Sequence, residues 1–160
     1  MKLITIFLVP ILFGITASVC AGGFSTHVPM TLKGSKTFYV SGRMAGIESA
    51  EFMVDTGSSY MTINQATLDK LQTDGEVVYL RDLTGVLATG EELVVPVYKI
   101  PRLILGNSCE LFDLEAAVFP GNTRQILGLS VLRRTAPFMF SIDPPALQLS
   151  NCNQQLSQAR

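Results

Sequence analysis

The chain lacks tryptophan, has a single histidine, and holds three cysteines and no long run of one charge in its 160 residues. Each shortage removes a class of chemistry. With only His27 available, neither a Ser-His-Asp triad nor a Cys-His pair is well supported. His27 itself reads as a surface residue in a mobile segment near the start of the mature chain. No Cys-x-x-Cys and no Cys/His cluster occurs, so no metal site is expected. Gly-x-x-x-x-Gly-Lys and Gly-x-Gly-x-x-Gly are both missing, so nucleotide binding has no support and no cofactor is implied. Twelve basic residues against thirteen acidic ones, with no basic run or basic-aromatic patch, argue against a nucleic-acid partner.

Hydrophobic length is concentrated at the start. Lys2 is followed by the uncharged apolar stretch Leu3 to Val19, which Pro10 and Gly14 interrupt and which is short for a spanning helix. Val19-Cys20-Ala21 then offers a cleavage site after Ala21, so residues 1–21 read as a signal peptide and the protein as exported, periplasmic or secreted. Two alternatives remain, a lipoprotein leader lipidated at Cys20 and an uncleaved anchor. Either would be the protein's route to membrane attachment, and both also place the domain outside the cytoplasm. The leader inflates the mean hydropathy of +0.35. The mature chain keeps Cys109 and Cys152, for which one disulfide is the default in an oxidising compartment, two buried thiols being the alternative.

Residues 22–150 are enough for one domain with a real core but not for two. Strand patterns dominate, from a weak one at His27 to Leu32 and a clear one at Phe38-Tyr39-Val40. Gly42 to Ser49 reads as a hairpin turn region, and Glu51 to Val54 as a buried strand. Asn64 caps a short helix, Gln65 to Leu71. Val77 to Leu83 and Leu93 to Ile100 flank a long hairpin. Leu103 to Leu105 turns at Gly106-Asn107, and Leu111 to Phe119 is a further strand. Val131 to Arg134 suits one or two helical turns. Phe138 to Ile142 and Ala146 to Leu149 pair across Asp143-Pro144-Pro145. Residues 151–160 form a polar, frayed tail. Many short strands with one or two short helices indicate an all-β sandwich or barrel.

What is present is carboxylate chemistry. Phe52-Met53-Val54-Asp55-Thr56-Gly57-Ser58-Ser59 is an apolar strand running into a tight turn that holds one carboxylate, with Tyr60 to Ile63 leaving as a second strand. Asp55 can activate a water. Thr56 and Ser58 carry short hydroxyls able to hydrogen-bond a carboxylate, and Gly57 lets backbone and ligand approach. The plainer alternative is an Asp that caps its own loop. Two carboxyls held close share a proton, so that one takes a proton from water while the other donates to a carbonyl.

The octet resembles the active-site motif of aspartic proteases. Ile126-Leu127-Gly128-Leu129-Ser130-Val131-Leu132 resembles the apolar-apolar-Gly segment that is structural in that clan. Their order and separation are similar to the single-domain, retropepsin-like branch, over Phe38 to Leu149. The resemblance implies a small closed β-barrel, catalytic Asp55, and an extended peptide or protein substrate bound as an added strand. A flap would cover it over Thr84 to Glu92, with Leu87, Ala88, Thr89 and Gly90 as candidates for the tip. No second Asp-Thr/Ser-Gly turn exists: Thr73-Asp74-Gly75 has the wrong order and Asp82-Leu83-Thr84-Gly85 is interrupted. One chain therefore supplies one carboxylate, and the count calls for a symmetric homodimer, with the terminal strands, including Ala146 to Leu149, as an additional contact between chains. A non-catalytic peptide-binding module on the same scaffold is the alternative.

Overall fold

A computed structural model of the protein describes residues 23–34, 36–74 and 77–153; the leader and residues 154–160 lie outside them. Eleven strands carry the fold among the described residues. They are β1 (Thr26–Pro29), β2 (Thr31–Lys33), β3 (Thr37–Met44), β4 (Ile47–Val54), β5 (Met61–Asn64), β6 (Val78–Val86), β7 (Glu92–Leu105), β8 (Cys109–Phe119), β9 (Ile126–Leu127), β10 (Phe138–Ile142) and β11 (Pro145–Leu149). Helix α1 (Gln65–Asp74) follows β5, and α2 (Leu129–Leu132) runs into a 3-10 turn, Arg133–Thr135. Asn64 accepts the Thr67 N–H at 2.9 Å and so caps α1 with its side chain. The protein is all-β with two short helices.

The main sheet runs in the order β2-β3-β4-β9-β5-β8-β7-β6, and a further pairing of β3 with β7 closes six of these strands into a ring. Closure happens at the irregularity in the β3–β4 pairing between Gly42 and Met44, where Gly42, Arg43 and Met44 also pair with Leu105, Ile104 and Leu103. A Cβ on Gly42 would lie 3.0 Å from the Phe52 ring and 3.1 Å from Leu103 Cδ1. Gly42 is thus a buried strand residue that admits a close approach, and the turn narrows to Ala45-Gly46. Inside the ring the alternate residues of facing strands meet, with Phe52, Met61, Ile63, Ile100, Leu103, Leu105, Leu111 and Leu127 at most 1 % exposed. Strand β7 runs through Pro101, where two separate strands were expected. Pairing steps from Ile100–Leu114 to Arg102–Phe112, leaving the proline, which has no N–H, out of the ladder.

The first and last strands of the described residues hold each other. β11 lies between β1 and β10, pairing Leu149 with Thr26 on one side and with Phe138 on the other. The segment around His27 is therefore a paired strand and not mobile: His27 sits opposite Gln148, and the neighbouring Val28 is buried. Nor is β11 an open edge for another chain, because both its flanks are filled from within. The ring of Phe38 meets that of Phe140 edge-on at 5.2 Å, seating this small sheet on the ring. Cys109 and Cys152 are bonded across a sequence separation of 43, and Asn153 donates its N–H to Glu110 O at 2.8 Å. Residues 151–153, read as the start of a frayed tail, are held against β8.

Candidate active site

The end of β4 is fixed by two residues of β9. Met53 and Val54 pair in parallel with Ile126 and Leu127, while Thr62 of β5 pairs antiparallel with Ile126. Strand β9 thus fills the gap between the strand entering the Asp55 turn and the strand leaving it. The Asp55 N–H donates to Leu127 O at 3.2 Å, which ends the ladder at the carboxylate. The turn closes with Ser58 N–H donating to Asp55 O at 3.3 Å. Gly57 N–H donates to Asp55 Oδ1 at 2.8 Å, so it is a backbone amide that orients the carboxylate. The hydroxyls expected to do this do not. Ser58 Oγ donates to Tyr60 O at 2.8 Å, satisfying the turn's own carbonyl. Thr56 is exposed, and its hydroxyl bonds to nothing among the described residues.

Gly128 shows why a glycine must follow Leu127. A Cβ there would stand 2.1 Å from Tyr60 O and 2.8 Å from Ser58 O. The chain passes so close because α2 docks its first amides on the turn. Leu129 N–H donates to Ser58 O at 2.8 Å and Ser130 N–H to Ser59 O at 3.0 Å. Ser130 Oγ accepts the Met61 N–H at 2.8 Å. Turn, β9 and α2 form one hydrogen-bonded unit, in which Ser130 is a positioning residue absent from the sequence-derived candidates.

The β6–β7 hairpin stands over this unit. Its tip closes through Leu87 N–H to Glu91 O at 2.8 Å and Gly90 N–H to Leu87 O at 2.9 Å, with Gly90 at φ +87°. A groove of about 800 Å³ separates tip and turn. Asp55, Gly57 and Ser58 line its floor, Leu87 and Ala88 its roof, and Met53, Phe119 and Ile126 its apolar wall. Thr89 and Gly90 shape the tip but do not line the groove, and Thr56 is also outside it. Asn122, Thr123 and Arg124 complete the lining from the segment entering β9. Their position follows from the parallel β4–β9 pairing, which no local pattern in residues 120–125 announces. A smaller recess of about 360 Å³ lies under the hairpin between Tyr60, Leu83, Val95 and Ala117.

The hairpin stem is braced to β8 by an ion pair and to the turn by a hydrogen bond. The pairing of β6 and β7 shifts register between Tyr79 and Arg81, and Arg81 then reaches Glu115 of β8 at 2.5 Å and the Tyr60 hydroxyl at 3.5 Å. The hydrogen bond from Arg81 holds the Glu115 carboxyl below its ordinary value, and the same bond raises the guanidinium. Among the described residues, no three His, Cys, Asp or Glu side chains gather as metal ligands, and no helix is long and apolar enough to cross a membrane.

Residues 40–134, which hold the Asp55 turn, the hairpin and Ile126 to Gly128, match the family model described as "gag-polyprotein putative aspartyl protease". Among solved structures, the chain is similar to a retropepsin-like aspartic protease from Rickettsia conorii. The two share 20 % identity and a TM-score of 0.54, over 79 % of this chain and 90 % of that one. At that identity the likeness establishes the fold. No curated protein matches the chain.

Proposed function

Starting from a chain that belongs to the gag-polyprotein aspartyl protease family and has a retropepsin-like fold, we propose that this protein is an aspartic endopeptidase whose active form is a homodimer. The observation that carries this reading is Asp55 on the floor of a covered groove, its carboxylate held by the Gly57 amide and open to the groove. One chain brings one such carboxylate, and a two-fold axis beside the turn brings a second opposite the first. The pair shares a proton and holds a water between its oxygens. One carboxylate takes a proton from that water as its oxygen attacks the scissile carbonyl, and the other gives its proton to the carbonyl oxygen. The resulting tetrahedral diol collapses, the amide nitrogen leaving with a proton. An extended peptide would lie along the groove beneath Leu87 and Ala88, strand-like, its side chains entering the apolar wall and the recess under the hairpin.

Asp55→Asn keeps the size of the side chain and the acceptor for Gly57, so the variant should fold and lose hydrolysis of a denatured protein mixture. Near-normal turnover by Asp55→Asn would refute the assignment. Activity per wild-type chain should fall on dilution, and excess Asp55→Asn chains should suppress it through mixed dimers. A specific activity independent of concentration would refute the dimer.

A further inference from the structure

The groove is uncharged except at two residues, Asp55 on its floor and Arg124 on its wall. Arg124 is exposed, and its Nη1 lies 3.8 Å from Met53 Sδ, two residues before Asp55. Lys33, Arg81, Lys99 and Arg102 each have a carboxylate within 4 Å. Among the described residues Arg124 has none. On its far side Arg124 also borders a depression of about 540 Å³ that contains Lys70. The only carboxylate lining that depression, Glu51, is occupied by Lys33, whose Nζ lies 2.6 and 2.5 Å from its two oxygens. The Tyr39 hydroxyl at the same rim is held below its ordinary value, first by its hydrogen bond with Thr37 and then by Arg124 and Lys33. The acidic residues nearest in sequence to the groove's roof, Glu91 and Glu92, do not line it. One wall of the groove thus presents a positive charge with no carboxylate within 4 Å among the described residues.

We propose that Arg124 is a specificity-determining residue that makes the groove select extended peptides carrying Asp or Glu within three residues of the scissile bond. The proposal rests on the endopeptidase reading above and adds the substrate class. A guanidinium offers a planar fork of donors that matches a carboxylate, and the hairpin over the groove thins the water that would screen the pair. The apolar remainder of the wall takes the stem of the acidic side chain and has no second cation to hold a different register.

The test is cleavage of a peptide library by wild type, Arg124→Gln and Arg124→Glu, with Asp55→Asn as background. Wild type should cleave acid-containing sites about tenfold better than matched amide-containing ones. Arg124→Gln should abolish that ratio, and Arg124→Glu should favour Lys or Arg at the same sites. A wild-type profile with no acidic enrichment, or enrichment that survives in Arg124→Gln, overturns the proposal. If no Asp55-dependent cleavage occurs, the endopeptidase reading fails, and fluorescence anisotropy decides the role of Arg124 alone. A labelled Glu-containing peptide should then bind wild type about tenfold tighter than its Gln counterpart and bind Arg124→Gln equally. Equal binding of the two peptides by wild type overturns the proposal.

Discussion

Replacing Gly128 with alanine tests whether the Asp55 turn and α2 meet as closely as described. The added methyl would sit 2.1 Å from Tyr60 O, 2.6 Å from Tyr60 C and 2.8 Å from Ser58 O, all main-chain atoms. No flexible side chain can swing away, so the turn and the start of α2 must separate. Overpacking alone costs about 1–3 kcal/mol. Separation also weakens the Leu129 N–H to Ser58 O and Ser130 N–H to Ser59 O bonds, each contributing about 1 kcal/mol. The sum, about 3–5 kcal/mol, corresponds to a fall in melting temperature of roughly 12–20 °C at about 4 °C per kcal/mol for a domain of this size. Gly85→Ala is the control. Its Cβ would meet only Leu93 O at 3.7 Å, an ordinary contact, and stability should change by at most about 1 kcal/mol. Both variants are read by circular-dichroism melting of the purified chain. If Gly128→Ala melts within 4 °C of wild type, the close packing of turn on helix is wrong.

Two further outcomes follow from the bracing of the sheet. Joining Cys109 to Cys152 closes a loop of 43 residues' separation, which on the chain-entropy account stabilises the fold by about 4 kcal/mol. The Cys109→Ala/Cys152→Ala double variant should lower the urea midpoint accordingly, and an unchanged midpoint would show the bridge to be energetically idle. Glu115 is held below its ordinary value by its hydrogen bond with Arg81, so its contribution to stability is present above the unfolded-state value near 4.5 and is lost as pH falls through the lower folded value. The stability difference between wild type and Glu115→Gln should therefore be small, because the pair is 40 % exposed or more, and should vanish in acid; a difference that grows on acidification would reverse the sign.

Local features carried their own signals in the sequence. Asn64 before Gln65 marks the start of α1 because a side-chain oxygen is needed there, and the apolar run Phe52-Met53-Val54 marks a buried strand. Pairings between distant segments had no such signal. Gly42 reads as part of a turn because glycine often punctuates the chain, and the gap between Leu93 to Ile100 and Leu103 to Leu105 falls on Pro101. Here Gly42 permits ring closure with β7, and Pro101 occupies a place where the ladder needs no donor. Asp55 was legible as a carboxylate on a turn, but its hydrogen-bond partner was not. Thr56 and Ser58 offer hydroxyls for this, whereas the donor is the Gly57 amide, which any residue type but proline could supply. Arg124 was illegible for a related reason. Its place on the groove wall depends on the parallel insertion of β9 beside β4, a contact across 71 residues.

The terminal sheet bears on how the proposed homodimer would assemble. Within the chain, β1 and β10 satisfy both sides of β11, so Ala146 to Leu149 offers no open edge. Strand β11 therefore completes its ladder without a partner, while the outer edges of β1 and β10 stay unpaired among the described residues. Further exposed groups lie around the site. Thr56 is exposed beside Asp55, and Val86 and Val94 on the hairpin are 70 % and 62 % exposed. Val94 pairs with Thr84, and Val86 with Glu92, so the two valines share one face of the hairpin. A dimer built from these groups buries the Asp55 turns and the hairpin faces and leaves the ring and the terminal sheet untouched. Folding and assembly are then separate equilibria: on dilution the chains should lose activity while each stays folded. A melting temperature that falls in step with activity would mean that the second chain is part of the fold itself.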